Sequence, residues 1–594
     1  MKVGIDTGGT FTDLVTDDGT IAKVPSAPHD PGRALRAALA QAGGDVDLLA
    51  HGTTVATNAL LQGAGARVAL VTNRGFAGVI EIARQARPSL YDPFVDRSAP
   101  LVPRELRFEV AGRLDARGDE LEPLDRSSVP HIPAGVAAVA VCLLHSDLDP
   151  GHERQVAAWL VEQSVDVTCS HEVSPEFREY ERTVTTVANA SLRPVCRGYL
   201  QELEQAATEV LVMTSAGGLV PAVDAAELPA SLLLSGPAGG VRAAAAVAAA
   251  CGFPHAVSLD MGGTSTDVCL VQGGVPEPAP TRVVAGYPIR LPALDIHTIG
   301  AGGGSIARVD PGGALAVGPA SAGADPGPAC YGRGGEHATV TDADLVLGRI
   351  APDTAFPGLG RLELDAARVA LGRAGVDAAG VVDVVDAAME RAVRFVTVER
   401  GVDPRDAVLV AFGGAGPLHA CAIADGLGMA AVVIPPRAGV LSAVGLVCAP
   451  RQRELVRSWP RPMDRDGLDE ARSALANEAV ALIGEASVEV ERLLDCRYAG
   501  QGHELTVAEV DDFHAEHRRR NGFDRRDASV EVIAMRARAR GSVPVTIDAL
   551  APVERAPVTG PAVVAEPDAS TWIPEGWRAE PGALGAWIVR RDGR

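Results

Sequence analysis

The chain has 594 residues, too many for one hydrophobic core, so two to four domains are expected. Hydrophobic residues make up 47% and charged residues 22%, the balance of a soluble globular protein and not of a disordered or membrane-embedded one. A formal net charge of −22 leaves little basic surface for neutralising phosphates, which excludes nucleic acid and anionic membrane as principal partners.

The N-terminus enters an apolar run at once, Val3-Gly4-Ile5, so no signal peptide is expected. The nine cysteines are scattered, with no C-x-x-C pair, so a cytoplasmic protein with reduced, buried thiols and no zinc ribbon is expected. The first run breaks at Asp6-Thr7-Gly8-Gly9-Thr10-Phe11-Thr12-Asp13 and resumes at Leu14-Val15, which reads as strand, tight glycine turn, strand. Residues 1–190 then alternate strand-like runs (Val68–Thr72, Val136–Leu144) with helix-like ones (Phe76–Arg84, Gly151–Gln163), the mark of an α/β lobe. Ser174-Pro175 opens a long helix running on towards Asn189 that would bridge two lobes. In the second lobe, 191–449, the most apolar window (Leu232–Ala250) holds Ser235, Gly236, Pro237 and Arg242, so it reads as a turn feeding an Ala-rich helix.

At Asp260-Met261-Gly262-Gly263-Thr264-Ser265-Thr266-Asp267 the first turn returns, 254 residues later, again between apolar runs. A Gly/Pro-dense ordered loop is expected over 300–335, and an amphipathic helix over Asp383–Arg400. The run Ala407–Phe412 breaks at Gly413-Gly414-Ala415-Gly416-Pro417 and continues as a helix through Asp425. Beyond Pro450 a shift towards Arg and Glu marks a small α+β C-terminal domain, 450–594.

The repeated D-x-G-G-T-x-T-D pattern carries the chemistry. Paired glycines let backbone N–H groups approach phosphate, threonine hydroxyls add donors, and an acid at a strand end can hold Mg2+ through water. Nucleotide contacts are therefore expected from Asp6, Thr7, Gly8, Gly9 and Thr10, from Asp260, Gly262, Gly263, Thr264, Ser265 and Thr266, and from Gly413, Gly414 and Gly416, with Asp6 and Asp260 as Mg2+ holders. Asp13 and Asp267 would orient the threonine hydroxyls, a water or a monovalent cation, or else cap their own turns. The chain has only two lysines, Lys2 and Lys23, and neither follows a glycine, so there is no Walker A loop. His297, Asp325, Asp342 and Asp344 are the residue types of a metal site, but their spacing does not demand one. His514 and His517 read best as a solvated pair beside Arg518, Arg519 and Arg520. Neither a G-x-S-x-G elbow nor another nucleophile arrangement is present in the sequence.

Two hairpins followed by a glycine turn, in that order, resemble the actin, Hsp70 and sugar-kinase superfamily, which implies a two-lobed α/β fold with ATP in the cleft. Longer strings sharpen the likeness: Leu49–Leu61 with His51-Gly52-Thr53-Thr54, Asn73-Arg74-Gly75-Phe76, Ser235–Val241, His297–Ser305 and Gly323–Gly332 are similar to the hydantoinase A and 5-oxoprolinase family. The likeness spans residues 1 to about 450, and the tail is similar through Arg497–Gln501 and Phe513-His514, though shorter than usual. It implies ATP-dependent opening of a cyclic amide such as a hydantoin, 5-oxoproline or lactam, or ATP-dependent carboxylation of a ketone, by an A-type chain paired with a B-type subunit in a hetero-oligomer. It also implies substrate or γ-phosphate contact for His51 and Thr53, with helix capping the alternative for Thr53 or Thr54. Arg74 is a candidate for neutralising the transferred phosphate, or else a surface arginine. An ATP-gated Hsp70-like binding module is a reading of another class, opposed by the lack of an evident peptide-binding β-domain after 450.

Overall fold

A computed structural model describes residues 1–26, 31–351, 353, 355–356 and 360–593. Two β-sheets repeat one topology. In the first, strand Lys2–Thr7 lies between its antiparallel hairpin partner Phe11–Thr16 and the parallel strand Leu48–Gly52, with Glu209–Met213 parallel beyond. In the second, Ala256–Met261 lies between antiparallel Thr266–Gln272 and parallel Val408–Phe412, with Val432–Ile434 parallel beyond. The match extends to register: Asp6 pairs with Asp13 and Asp260 with Asp267. Each hairpin closes in the same way, Gly8 N–H donating to Phe11 O and Gly262 N–H to Ser265 O, both at 3.0 Å. The expected α/β architecture with duplicated hairpins is present, and buried Val3, Ile5, Leu14 and Val15 in one sheet and Val257, Leu259, Val268 and Leu270 in the other hold the hairpins in place.

Two helices cross between the sheets, Gly236–Ala250 and Leu441–Val447. Their backbones touch because the crossing residues are glycines: a Cβ on Gly445 would collide with Gly239 O, and one on Gly239 would sit 2.8 Å from Ser442 O. Leu441–Val447 also lies against the first sheet, where a side chain on Gly4 would strike Ala443 O. The crossing thus fixes one hairpin relative to the other.

Several boundaries depart from the sequence reading. The break at 190 falls inside the 25-residue helix Glu179–Leu203. That helix joins two cores of the first half: Val184, Val187 and Ala190 face a parallel four-stranded sheet, while Ala188, Leu192 and Leu200 face the hairpin sheet. It starts after Arg178, at φ +81°, and not at Ser174. Residues beyond 450 do not form one unit. Gln452–Ser458, Glu489–Tyr498, Leu505–Val507 and Val530–Arg540 build a separate antiparallel sheet, but Trp577–Pro581 and Trp587–Arg591 return to extend the second hairpin sheet beside Val432–Ile434. Buried Trp577, Trp587 and Val589 carry that return, a long-range packing choice that a composition shift cannot reveal. The 300–335 segment contains a hairpin, Ser305–Val309 with Leu315–Ser321, and the amphipathic helix runs Ala378–Thr397. Among the described residues no helix is long and apolar enough to cross a membrane.

Candidate functional site

A cavity of about 260 Å³ opens between the hairpins. Asp6, Gly8, Gly9, Thr10 and Asp13 line it from the first, Asp260, Gly262, Gly263, Thr264 and Ser265 from the second, and Gly413 and Gly414 from the later turn. The hairpin tips oppose closely, since a Cβ on Gly263 would lie 2.9 Å from Thr10 Oγ1. Gly413 adopts φ +79° where a side chain would strike Asp260 Oδ1, so backbone and carboxylate share one corner. Behind the second hairpin, Gly303 and Gly304 N–H donate to Gly262 O and Gly263 O at 2.9 and 2.7 Å, while Thr298 Oγ1 donates to Asp267 Oδ1 at 2.5 Å. The His297–Ser305 string is therefore the buttress that takes up hairpin carbonyls and leaves the opposite edge to a ligand. One end of the cavity is apolar, walled by Tyr331, Ile350, Leu362 and Leu418, a fit for a nucleobase.

Electrostatics set this cavity apart. Burial pushes Asp6 well above the ordinary carboxylate range, and Asp13 and Asp260 push it further. Asp260 rises to about 7 through burial and the charges of Asp267 and Asp13; Asp267 rises to about 6 through burial, offset by Thr298. Burial also raises Asp13, against the pull of Lys23. Asp6 Oδ1 is buried and has no hydrogen-bond partner. Clustered acids that resist ionising, one with an orphaned oxygen, fit a divalent cation, and the glycine edges fit polyphosphate.

Not every expected residue reaches the cavity. Thr7 and Thr266 are buried off its wall, Thr266 Oγ1 donating to Ala301 O at 2.6 Å, and Gly416 begins the helix Gly416–Leu427 behind it. Asp267 stands outside the lining as well, held by Thr298. His51 is fully buried between Ile5 O (Nδ1, 3.2 Å) and Tyr199 OH (Nε2, 2.7 Å), and burial lowers it to about 4, so it is a neutral imidazole that does not line the cavity. Thr53 is buried beside it and accepts the Val55 N–H at 3.2 Å just ahead of the helix Val55–Leu61, whose N-cap is Thr54 without a side-chain cap bond. Arg74 is exposed at the end of the four-stranded sheet and does not line the cavity.

The four metal-type residues do not gather. His297 stacks on Phe395 (4.2 Å between centroids), Asp325 is exposed, Asp342 caps the helix Val340–Val346 in a capping box with Thr339, and Asp344 faces His419 at 3.2 Å. His514 and His517 are not a solvated pair: His514 Nδ1 meets Tyr498 OH at 2.8 Å, and buried His517 Nδ1 meets Phe523 O at 2.8 Å.

Sequence reasoning missed Lys23, Tyr331, Gly439, Ser442 and Asp568, all of which line the cavity. Lys23 Nζ pairs with Asp13 Oδ1 at 2.8 Å and donates to Gly439 O at 3.1 Å; Asp568, from the returning C-terminal segment, accepts the Gly439 N–H at 2.7 Å. Ser442 Oγ lies 3.5 Å from Asp260 Oδ2. Lys23 had a sequence signal, as one of two lysines in a chain with 52 arginines.

Residues 2–164 match the profile of the hydantoinase/oxoprolinase N-terminal region, and residues 182–454 match that of hydantoinase/oxoprolinase. The chain is similar to the caprolactamase subunit alpha of Pseudomonas jessenii, 33% identical over 90% of this chain and 86% of the relative. It is similar to the acetophenone carboxylase gamma subunit of Aromatoleum aromaticum, 35% identical over 75% of this chain and 67% of that one. The crystal structure of the ATP-dependent caprolactamase from Pseudomonas jessenii superposes with a TM-score of 0.87 at 31% identity, covering 100% of both chains.

Proposed function

This chain belongs to the hydantoinase/oxoprolinase family, and from that premise we propose that it is the ATP-binding subunit of an enzyme that opens a cyclic amide by phosphorylating its ring carbonyl oxygen. The observation that carries the reading is the opposition of two equivalent glycine hairpins across one acid-lined cavity. The apolar end would hold the base, and the N–H groups of Gly9 and Gly263, which the hairpin-closing bonds of Gly8 and Gly262 leave over, would face the phosphates. Asp6 and Asp260 would hold Mg2+, which would supply positive charge against the phosphates.

A ring amide resists water because its carbonyl carbon is weakly electrophilic and its nitrogen leaves poorly. Transfer of the terminal phosphoryl group to the carbonyl oxygen, with ADP leaving, gives an imidate phosphate whose carbon accepts water. The C–N bond then breaks as nitrogen takes a proton, and a second water releases phosphate from the acyl phosphate. The chain's part in this is to hold donor and acceptor in line and to keep bulk water out, which positioning and fixed N–H groups accomplish without a protein nucleophile.

Calorimetric titration of Mg-ATP into the wild-type protein, Asp260→Ala and Gly263→Val tests the site. Binding is expected only in the wild type; unchanged affinity in both variants would refute the split-hairpin assignment.

The acetophenone carboxylase relative favours a second reading, in which the phosphorylated oxygen is that of a ketone enolate and bicarbonate supplies the added carbon. ATP turnover with a panel of hydantoins, 5-oxoproline, lactams and ketones, with and without bicarbonate, separates the two. Both relatives are named as subunits, which supports a hetero-oligomer with a B-type partner; the isolated chain is expected to hydrolyse ATP slowly or not at all. Full substrate turnover by the purified chain alone would refute the need for that partner.

A further inference from the structure

A cavity walled by Asp6, Asp13, Asp260 and Asp568 repels a polyphosphate, and glycine N–H groups carry only partial charge. Among the described lining residues Lys23 is the only cationic side chain. It stands directly across the hairpin from Asp13, its cross-strand partner, so that strand pairing aims the ammonium at the acid cluster. Its side chain is 15% exposed, held by Asp13 Oδ1 at 2.8 Å and by Gly439 O at 3.1 Å. An ammonium has three N–H donors, and these partners take two.

We propose that Lys23 is a ligand of the nucleotide's triphosphate, its third N–H donating to a phosphoryl oxygen while Asp13 and the Gly439 carbonyl keep the ammonium pointed into the cavity. Gly439 is itself fixed, because its N–H is held by Asp568 and a side chain there would strike Asp568 O. The anchor of the lysine thus runs to the C-terminal segment. This inference rests on the reading of the cavity as an ATP site and adds a cationic side chain to it.

Composition points the same way. With 52 arginines in the chain, cationic needs elsewhere are met by guanidinium, and the other lysine, Lys2, donates to Pro544 O and does not line the cavity. Here a planar fork would have to fit between Asp13 and Gly439, whereas a compact ammonium fits and leaves a donor over.

The competing role is a staple that only ties the strand Ile21–Pro25 to the turn at Gly439. Triphosphate selectivity distinguishes the two. Titrations of Mg-ATP and AMP into wild type, Lys23→Met and Lys23→Gln are expected to show ATP affinity falling at least tenfold in both variants while AMP affinity stays within about twofold. Equal losses for both nucleotides, or none, would overturn the proposal. The wild-type protein supplies a measurement independent of variant folding: amine-selective reductive methylation read by mass spectrometry, with Lys2 as internal reference. Mg-ATP is expected to slow labelling of Lys23 at least fivefold more than AMP does; equal protection would overturn the proposal. Failure of the wild type to bind either nucleotide would refute the ATP site itself and is seen before any variant is made.

Discussion

Replacing His419 by Gln should expose a buried ionic set beneath the cavity between the hairpins. His419 is fully buried on the helix Gly416–Leu427, next to Leu418 of the apolar wall. Its Nδ1 lies 2.7 Å from Asp386 Oδ1 and its Nε2 3.2 Å from Asp344 Oδ2, the second pair close enough for attraction but poorly aligned for a hydrogen bond. Burial alone would lower its pKa, yet Asp344 and Asp386 outweigh it and raise the group to about 10. For a base raised above its unfolded value of about 6.5, the stabilisation is complete below pH 6.5 and disappears as pH rises through 10. A shift of that size corresponds to about 5 kcal/mol, and removing one member of a buried ionic set typically costs about 3–5 kcal/mol. His419→Gln should therefore unfold at markedly lower guanidinium concentration than wild type at pH 6.5, by about 3–5 kcal/mol, and the gap should narrow by pH 10. Chemical denaturation followed by tryptophan fluorescence at pH 6.5, 8 and 10 measures it. Parallel pH profiles for the two proteins would show that His419 carries no charge in the fold.

In protein kept free of divalent cations, Asp260→Asn should stabilise the fold at pH 8, by about 1–2 kcal/mol after discounting for cavity water, because an acid raised from 3.8 to about 7 costs stability that accumulates as pH rises above 3.8 and is complete above 7. The gain should shrink as pH falls and vanish by pH 3, below the unfolded value, and a destabilised variant at pH 8 would contradict the burial argument. Gly445→Ala places a methyl group against Gly239 O where the crossing helices touch, and a loss of several kcal/mol or insoluble expression is expected; a normal thermal midpoint would show that the helices can separate at no cost. Asp568→Ala should free the Gly439 N–H and weaken Mg-ATP binding by about three- to tenfold in calorimetry, with little change if the C-terminal turn is merely adjacent.

The parts legible in the sequence were those specified by short-range chemistry. A strand–Gly-Gly–strand pattern builds a hairpin wherever it occurs, so Asp6–Asp13 and Asp260–Asp267 could be placed from eight residues each, and repetition showed that they belonged together. The residues that escaped are held by long-range packing. His51, Thr53 and Arg74 lie in strings that resemble the family, but resemblance does not say which face a side chain takes: His51 was spent on Ile5 O and Tyr199 OH, and Arg74 on the surface. The cationic side chain that lines the cavity among the described residues is Lys23 and not Arg74, and it becomes visible only when the strand Ile21–Pro25 pairs back onto Phe11–Thr16 and sets Lys23 opposite Asp13. Asp568 is more distant still, because 129 residues separate it from Gly439 and its approach depends on the last strands rejoining the second hairpin sheet. The pair of glycine hairpins is local and repeated, whereas the charge balance of the cavity between them is assembled once, from three separate stretches of chain. Substitutions that spare both hairpins can therefore still disable the site, provided they fall at Lys23, Gly439 or Asp568.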